Sequence, residues 1–455
     1  MKVLLVIPPS PFLIDEKAMP FLGIMSVATT IKKHHYKVSL LDLSGHKDYF
    51  SDFMEHIKKE SYDVIGFTVS TPQYPYVVEM ARVIPRGIKK IIGGPHVTSC
   101  YAAYKHIKNE RTLKNIADIE QEFDHIFVGD GEISIVEFLN GNITSKVIDA
   151  DENNHLFLTN EDLAVQDFID RSFIDLKSYH FLMGTEQCAS IISQLGCPFS
   201  CSFCCGRSSK NMRRIRSRTI LQVIKEIEYL YKTYGYQAYM FYDDELNINR
   251  SLLPLLTELI DLQKIMGVRF KFRSNIKSEL FTDEQAYLMK QCGFECLLCG
   301  FESANDRILT SINKKATRSD NDNTISLCKK YGLKIKALMS CGHPGDSRDT
   351  ILESQQWLID KKVDEFSVSI ITPYPGSPYY DFATPLYNDI WQYKSPHTND
   401  MLYEINVDYS KLSQFYRGIP GKYKAYVHTD YISAPELVTM RDDFERNVKN
   451  GLNII

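Results

Sequence analysis

Three thiols within eight positions are the residues of this sequence best placed to do chemistry. They are Cys197, Cys201 and Cys204 of Gly196-Cys197-Pro198-Phe199-Ser200-Cys201-Ser202-Phe203-Cys204, spaced C-x3-C-x2-C. Thiolates on one loop are soft ligands that suit a polynuclear iron–sulfur site, and a nearby cation keeps them deprotonated. Zinc is the competing metal, although its structural sites usually take four ligands built from paired C-x2-C knuckles. The bland reading is three buried, unligated cysteines. If a four-iron cluster sits here on three protein ligands, one iron stays open for a small molecule. The total of 11 cysteines is odd in a chain too long to need disulfide staples, so reduced thiols and a cytoplasmic location are expected.

The elements that must position this loop are legible as alternation. The sequence has 455 residues, 44% hydrophobic and 24% charged, which is the composition of an ordinary folded chain of two or three domains. Lys+Arg 53 against Asp+Glu 57 gives −4, so no global basic field exists to collect nucleic acid. No apolar run approaches the ~18 residues that cross a bilayer, and Pro8-Pro9 cuts short the apolar N-terminus. Neither nucleic acid nor a membrane is expected as a partner. From 1 to 140, apolar strands at Lys2 to Ile7, Lys37 to Leu43, Val64 to Val69, Lys89 to Ile92 and His125 to Val128 alternate with helical spacing at 20–34, 51–60, 73–83 and 131–139. Strands apolar on both faces predict an α/β fold with a doubly wound parallel sheet. A linker is expected over 141–185. A second alternation over 186–380, with strands at 190–194, 237–242, 268–273, 295–300, 334–341 and 365–371, predicts a partial (β/α)6 barrel by analogy with the eight-unit barrel. Residues 381–455 are expected to form a small C-terminal, substrate-side segment, irregular until a helix near 434–449.

With these residues in view, the sequence resembles a radical S-adenosylmethionine (radical SAM) enzyme with an N-terminal cobalamin-binding-type domain. The resemblance implies that Cys197, Cys201 and Cys204 hold a 4Fe-4S cluster whose fourth iron chelates S-adenosyl-L-methionine. It leaves the adjacent Cys205 out. It implies cosubstrate contacts at strand ends: Asp243 and Glu245 in Tyr242-Asp243-Asp244-Glu245, Arg273 and Ser274 in Phe272-Arg273-Ser274-Asn275, and Glu302 and Ser303 in Gly300-Phe301-Glu302-Ser303. The loops Gly342-His343-Pro344-Gly345-Asp346 and Thr372 to Ser377 match the fifth and sixth strand ends. In the first domain, Pro8, Ser70, Gly93, Gly94, Gly129 and Glu132 fall at the sheet edge that would hold cobalamin. The wider cobalamin family's D-x-H-x-x-G segment is absent, so the domain holds cobalt without a protein imidazole or is an empty relic. His96 is read as stabilising its loop.

The basic run Arg207, Lys210, Arg213, Arg214, Arg216 and Arg218 reads as a solvated lead-in to the next helix, with attraction of an anionic substrate as the alternative. No cysteine follows Cys341, which excludes an auxiliary cluster at that end. Tyr416 and His428 are the candidate acid/base groups near the substrate. The resemblance implies hydrogen abstraction from a small polar substrate, sugar- or aminocyclitol-like and of an antibiotic or other natural-product pathway, for cobalamin-dependent C-methylation. Cobalamin-independent radical dehydration, as by a diol-dehydratase of aminoglycosides, is the second reading, and a non-catalytic sensor the third. A reductant such as flavodoxin or ferredoxin is the implied protein partner, and oligomeric state is not legible.

Overall fold

The structure is a computed structural model that describes residues 1–412 and 423–453. The chain opens on a six-stranded parallel sheet of order β2-β1-β3-β4-β5-β6. Its strands are β1 (Lys2–Ile7), β2 (Lys37–Asp42), β3 (Val64–Thr68), β4 (Lys89–Gly93), β5 (His125–Val128) and β6 (Val147–Asp149). Alternation along β1 sends Leu4 and Val6 into one helix layer and Val3, Leu5 and Ile7 into the other, so both faces are dry. The strand order reverses between β1 and β3, which opens a crevice at the carboxyl edge. Strand β6 lies in the segment expected as a linker and extends this sheet. Two helices, Pro95–His106 and Glu110–Glu122, were not anticipated either. The first begins on a proline straight after Gly93-Gly94, which reads as a turn.

The second sheet has order β15-β14-β13-β12-β11-β8-β7. Strands β7 (Leu182–Met183) and β8 (Glu186–Ile191) form an antiparallel edge, and a short antiparallel pair, β9 (Gln194–Leu195) with β10 (Arg216–Ser217), follows. Strands β11 (Ala238–Phe241), β12 (Lys271–Ile276), β13 (Phe294–Glu302), β14 (Lys334–Cys341) and β15 (Glu365–Ile370) are parallel to β8 and to one another. Six parallel strands with helices on the outer face form the expected half-barrel. Helix stops fall on glycines in the left-handed conformation, such as Gly235, Gly267, Gly293 and Gly332.

The C-terminal segment departs from expectation. It carries an antiparallel sheet of β16 (Thr384–Tyr387), β17 (Ile390–Lys394), β18 (Met401–Ile405) and β19 (Val427–His428) before the final helix Ala434–Leu452. The alternation was masked because Glu404 occupies an inward position of β18, where Arg111 of the first domain meets it at 2.7 Å. The Arg111 guanidinium also lies 3.8 Å from the Trp391 ring centroid, so the buried charge is paired and stacked.

The two α/β units are stapled at the crevice. Arg216 Nη1 meets Asp130 Oδ2 at 2.5 Å, and Asp151 accepts from Ser209 Oγ at 2.8 Å and from Asn211 N at 2.6 Å. Gly376 lies so close to the first unit that an added Cβ would come within 2.5 Å of Ser99 Cβ. Nearby, Asp381 accepts from Gly376 N at 3.0 Å, and burial pushes its carboxyl up from 3.8 to about 8. The folded chain then keeps a proton that the unfolded chain has released, so this group lowers stability as pH rises from about 4 to about 8. Asp381→Asn, a neutral mimic of the protonated acid, is expected to melt higher than the wild type at pH 9 and alike near pH 4 in calorimetry.

Candidate cluster loop and cofactor crevice

The loop from Gly196 to Gly206 is built by backbone constraint. Gly196 takes φ +86°, and a Cβ there would stand 2.3 Å from Arg214 O. Cys197 N donates to Met212 O at 2.9 Å, Ser202 N to Ile312 O at 2.9 Å and Cys204 N to Cys201 O at 3.1 Å. Arg207 is folded across the loop: its guanidinium donates to the carbonyls of Phe199 and of Cys197, the latter at 3.3 Å. Burial raises the Cys204 thiol to about 11 while Arg207 pulls it down, and the same two influences act on Cys197. A coordinating metal removes such protons outright, and the guanidinium is placed to offset the resulting charge. Among the described residues no three His, Cys, Asp or Glu side chains converge tightly enough for one metal ion. A cubane spreads its ligand positions over separate irons, so this loop fits a cluster better than mononuclear zinc. A downstream C-x2-C spacing does exist, Cys296 and Cys299, but three residues apart on β13 they point to opposite faces. They form no knuckle.

Period two decides which strand-end residues reach the barrel interior. On β12, Phe272 and Ile276 pack into the helix layer, so Ser274, on the same face and fully buried, is a correction to the expected site. Asn275 faces the interior in its place and reaches Asp243 O at 3.5 Å. Arg273 is inward but low in the barrel, 3.4 Å from Glu365 and over the Phe181 ring. Ser303 is a second correction: it sits 3.2 Å from Ser354 Oγ and accepts from Asn305 N, facing the outer helix. Asp243 is a third. Both of its oxygens are taken by Ser193, one from the backbone N at 2.7 Å and one from the hydroxyl. Burial lifts its carboxyl to about 7, and it ties β11 to the turn before the loop. Its neighbour Asp244 is open to solvent and electrostatically coupled to Arg207.

The interior polar set is centred on Glu302, which holds φ +62° at a register shift of β13. A non-glycine residue there costs about 1–3 kcal/mol. Glu302 Oε1 meets Lys314 Nζ at 3.2 Å, and Oε2 accepts from Ser340 Oγ at 2.7 Å. Ser340 in turn meets His343 Nε2 at 2.7 Å, and His343 Nδ1 meets Tyr379 OH at 3.1 Å. Burial lowers His343 to about 4, so it is neutral. Glu245 Oε2 is buried without a partner, and burial raises the group to about 7 against the pull of Lys314 and Lys277. An orphaned carboxylate oxygen beside a buried lysine and beside Cys201, which Lys314 senses electrostatically, is what a zwitterionic ligand requires. Lys314 lies outside every strand-end motif, and Lys277 follows directly on β12, two residues past Phe272 to Asn275; neither was read from the sequence.

In the first unit, Gly93, Gly94, Gly129 and Glu132 line one slot with Leu5, Ile24, Gly66, Phe127 and Gly131, and its walls enclose about 950 Å³, partly open to solvent. Glycine makes the slot. A Cβ on Gly66 would meet Ile91 Cγ1 at 2.8 Å, and one on Gly131 would meet Val27 Cγ2 at 2.8 Å. Glu132 Oε1 accepts from Ser26 Oγ at 2.6 Å, and burial raises its carboxyl. Pro8 and Ser70 sit at the same sheet edge, joined through Gln73, and do not line the slot. His96 is buried, meets Thr71 Oγ1 at 3.0 Å and stacks near Tyr74. An apolar, glycine-floored slot at the switch point fits the nucleotide arm of a corrin.

His428 lies on β19 opposite Tyr403, stacked on it at 4.8 Å, with Nδ1 3.4 Å from Thr429 O. Its neighbour Val427 takes the inward face, so the structure does not bring His428 to the loop. Tyr416 lies outside the described residues. The basic run is divided: Arg216 and Arg218 are paired with Asp130 and Glu226, Arg213 donates to Pro198 O at 2.9 Å, and Arg214 is exposed to solvent. Among the described residues no helix is long and apolar enough to cross a membrane.

A three-cysteine loop thus stands at the mouth of a parallel half-barrel, beside a doubly wound sheet with a glycine slot. Residues 191–358 match the Radical SAM superfamily and residues 16–110 match the B12 binding domain; the chain is a radical SAM enzyme with an N-terminal domain of the cobalamin-binding type. A radical SAM domain works with a four-iron cluster and S-adenosylmethionine, and the B12 binding domain provides for cobalamin. The chain is 26% identical over 404 residues to an uncharacterized methyltransferase of Pyrococcus horikoshii, covering 84% of this chain and 83% of that one. It is 25% identical over 388 residues to the bacteriochlorophyllide d C-12(1)-methyltransferase of Chlorobaculum tepidum, covering 84% and 78%. Its fold is that of the radical SAM methyltransferase TsrM from Kitasatospora setae, at TM-score 0.70 and 14% identity over 99% of this chain and 91% of that one. The chain is thus similar to methyltransferases in sequence, and it shares the fold of one.

Proposed function

We propose that the chain methylates an unactivated carbon of a small polar substrate. When bound, the cluster supplies the electron that cleaves the cosubstrate sulfonium to a hydrogen-abstracting adenosyl radical, and cobalamin carries the methyl group. The chain's own residues do the positioning. Cys197, Cys201 and Cys204 hold the irons, Arg207 offsets the thiolate charge, and Glu245 with the Glu302–Lys314 pair receives the ammonium and carboxylate of the cosubstrate. Gly93, Gly94, Gly129 and Glu132 line the seat for the corrin.

The observation that carries the substrate class is the polar lining of the barrel mouth. Beyond the groups assigned to the cosubstrate, Asn275 faces the interior and the exposed Asp244 follows β11 at the same end of the barrel, which favours a hydroxylated or aminated ligand over a flat macrocycle. A reductant such as flavodoxin or ferredoxin supplies the electron. No observation favours the dehydration or sensor readings.

Glu302→Gln keeps the shape and removes the charge facing Lys314. It is expected to weaken S-adenosylmethionine binding about 10- to 100-fold, the worth of a hydrogen bond to a charged group, read by titration of the reconstituted protein. The proposal itself is tested by anaerobic turnover with methyl-labelled S-adenosylmethionine and extracts rich in sugars and aminocyclitols. Label in a small polar product, with 5'-deoxyadenosine formed alongside, supports it. Loss of water from the product without label, or label only in a tetrapyrrole, overturns it.

A further inference from the structure

Arg207, Lys210, Arg213 and Arg214 place four positive charges within eight positions of a chain whose net charge is −4. Among the described residues none of the four has an acid within ion-pair distance, whereas the next two cations, Arg216 and Arg218, are paired with Asp130 and Glu226. Arg207, Lys210 and Arg213 border an open basin on the protein surface together with His106 and Glu152. Glu152, the acid on this rim, is held by Lys105 at 3.4 Å. Lys210 Nζ meets the neutral Asn154 Oδ1 at 2.5 Å and lies 4.9 Å from the Phe157 ring centroid, and Arg214 is exposed, its guanidinium 5.5 Å from the same centroid. The basin lies against the cysteine loop itself, because Arg213 donates to Pro198 O at 2.9 Å and Arg207 to Cys197 O at 3.3 Å.

We infer that this surface is the docking face for an acidic one-electron donor protein. The inference rests on the reading of Cys197, Cys201 and Cys204 as cluster ligands. One electron leaves the donor's reduced centre, which is oxidised by one equivalent, and enters the four-iron cluster, which is reduced by one; no bond forms and no proton need move. A partner of negative charge is repelled by the molecule as a whole and drawn to this patch, which steers its encounter and fixes its orientation. A small anionic substrate would call for an enclosed pocket, and this basin is shallow and lies outside the barrel.

The test uses the reconstituted full chain, with Lys210→Glu/Arg214→Glu as the variant and a reduced flavodoxin as the probe. Binding by titration calorimetry is expected to weaken about tenfold or more, and flavodoxin-driven bleaching of the cluster to slow in the same proportion. Iron content and the rate of reduction by dithionite, a small reductant that needs no docking face, stay at wild-type values. Binding of flavodoxin to the wild type is also expected to fall steeply with salt. Should the charge-reversed protein fail to fold, Lys210→Gln/Arg214→Gln carries the same comparison. Equal binding and bleaching in variant and wild type, no flavodoxin binding by the wild type, or preference of the patch for an RNA oligonucleotide overturns the inference. Failure of the cluster reading is distinguishable, because it appears as missing iron in the wild type before any partner is added.

Discussion

Cys201→Ala protein, reconstituted anaerobically beside the wild type, is expected to retain at most traces of iron and to lose the broad sulfur-to-iron absorbance and all formation of 5'-deoxyadenosine. The reason is positional. Cys201 is the buried member of the three, on a loop pinned by Ser202 N on Ile312 O and by Arg207 on its carbonyls. The adjacent thiol, Cys205, is held high by burial and by the neighbouring Cys204, which disfavours the thiolate a replacement ligand needs. Two remaining thiolates cannot hold a cubane that leaves one iron open. Full iron in this variant, with wild-type absorbance, would remove the loop from the account. Because the substitution deletes only a sulfur, the melting temperature of the metal-free protein is expected to move little, and that control separates loss of ligand from loss of fold.

The second large effect is expected in the other cofactor. Gly66 lies on the floor of the slot in β3, where a side chain would enter the space between Ile91 and Leu5. Gly66→Val is expected to abolish the corrin absorption that survives gel filtration of the wild type, and with it methyl transfer, while leaving iron content intact. The clash is with the ends of flexible side chains, so the fold is expected to lose only about 1–3 kcal/mol from overpacking, checked by denaturant titration. A corrin band of wild-type strength in this variant would place cobalamin elsewhere. Iron and corrin are thus expected to fail independently, each through one residue.

How much of this was legible in the sequence follows from what each signal depends on. The strands β1 and β5 run where the apolar pattern puts them, because buried parallel strands are apolar on both faces, and β14 does so because Ile335, Ala337, Met339 and Cys341 alternate as its buried face. The cysteine loop was legible because its spacing is local. Ser274, Ser303 and Asp243 were not readable as they turn out, since which face a strand-end residue takes depends on a register that only the folded sheet fixes. Ser274 shares the face of Phe272 and Ile276, and Asp243 is consumed by Ser193, fifty residues earlier in the chain. Lys314 and Lys277 were invisible because they are drawn into the barrel by tertiary structure, where Lys314 meets Glu302 and Lys277 donates to Lys314 O. The C-terminal sheet was hidden because Glu404, a carboxylate in a core position, reads as surface until Arg111 is seen beside it.

The central claim is that the loop leaves one iron to the cosubstrate, and electron paramagnetic resonance of the reduced, reconstituted protein tests it most directly. The account predicts a four-iron signal that shifts when S-adenosylmethionine is added and shifts less in Glu302→Gln. A signal unchanged by saturating S-adenosylmethionine, or a site filled by zinc, would contradict it.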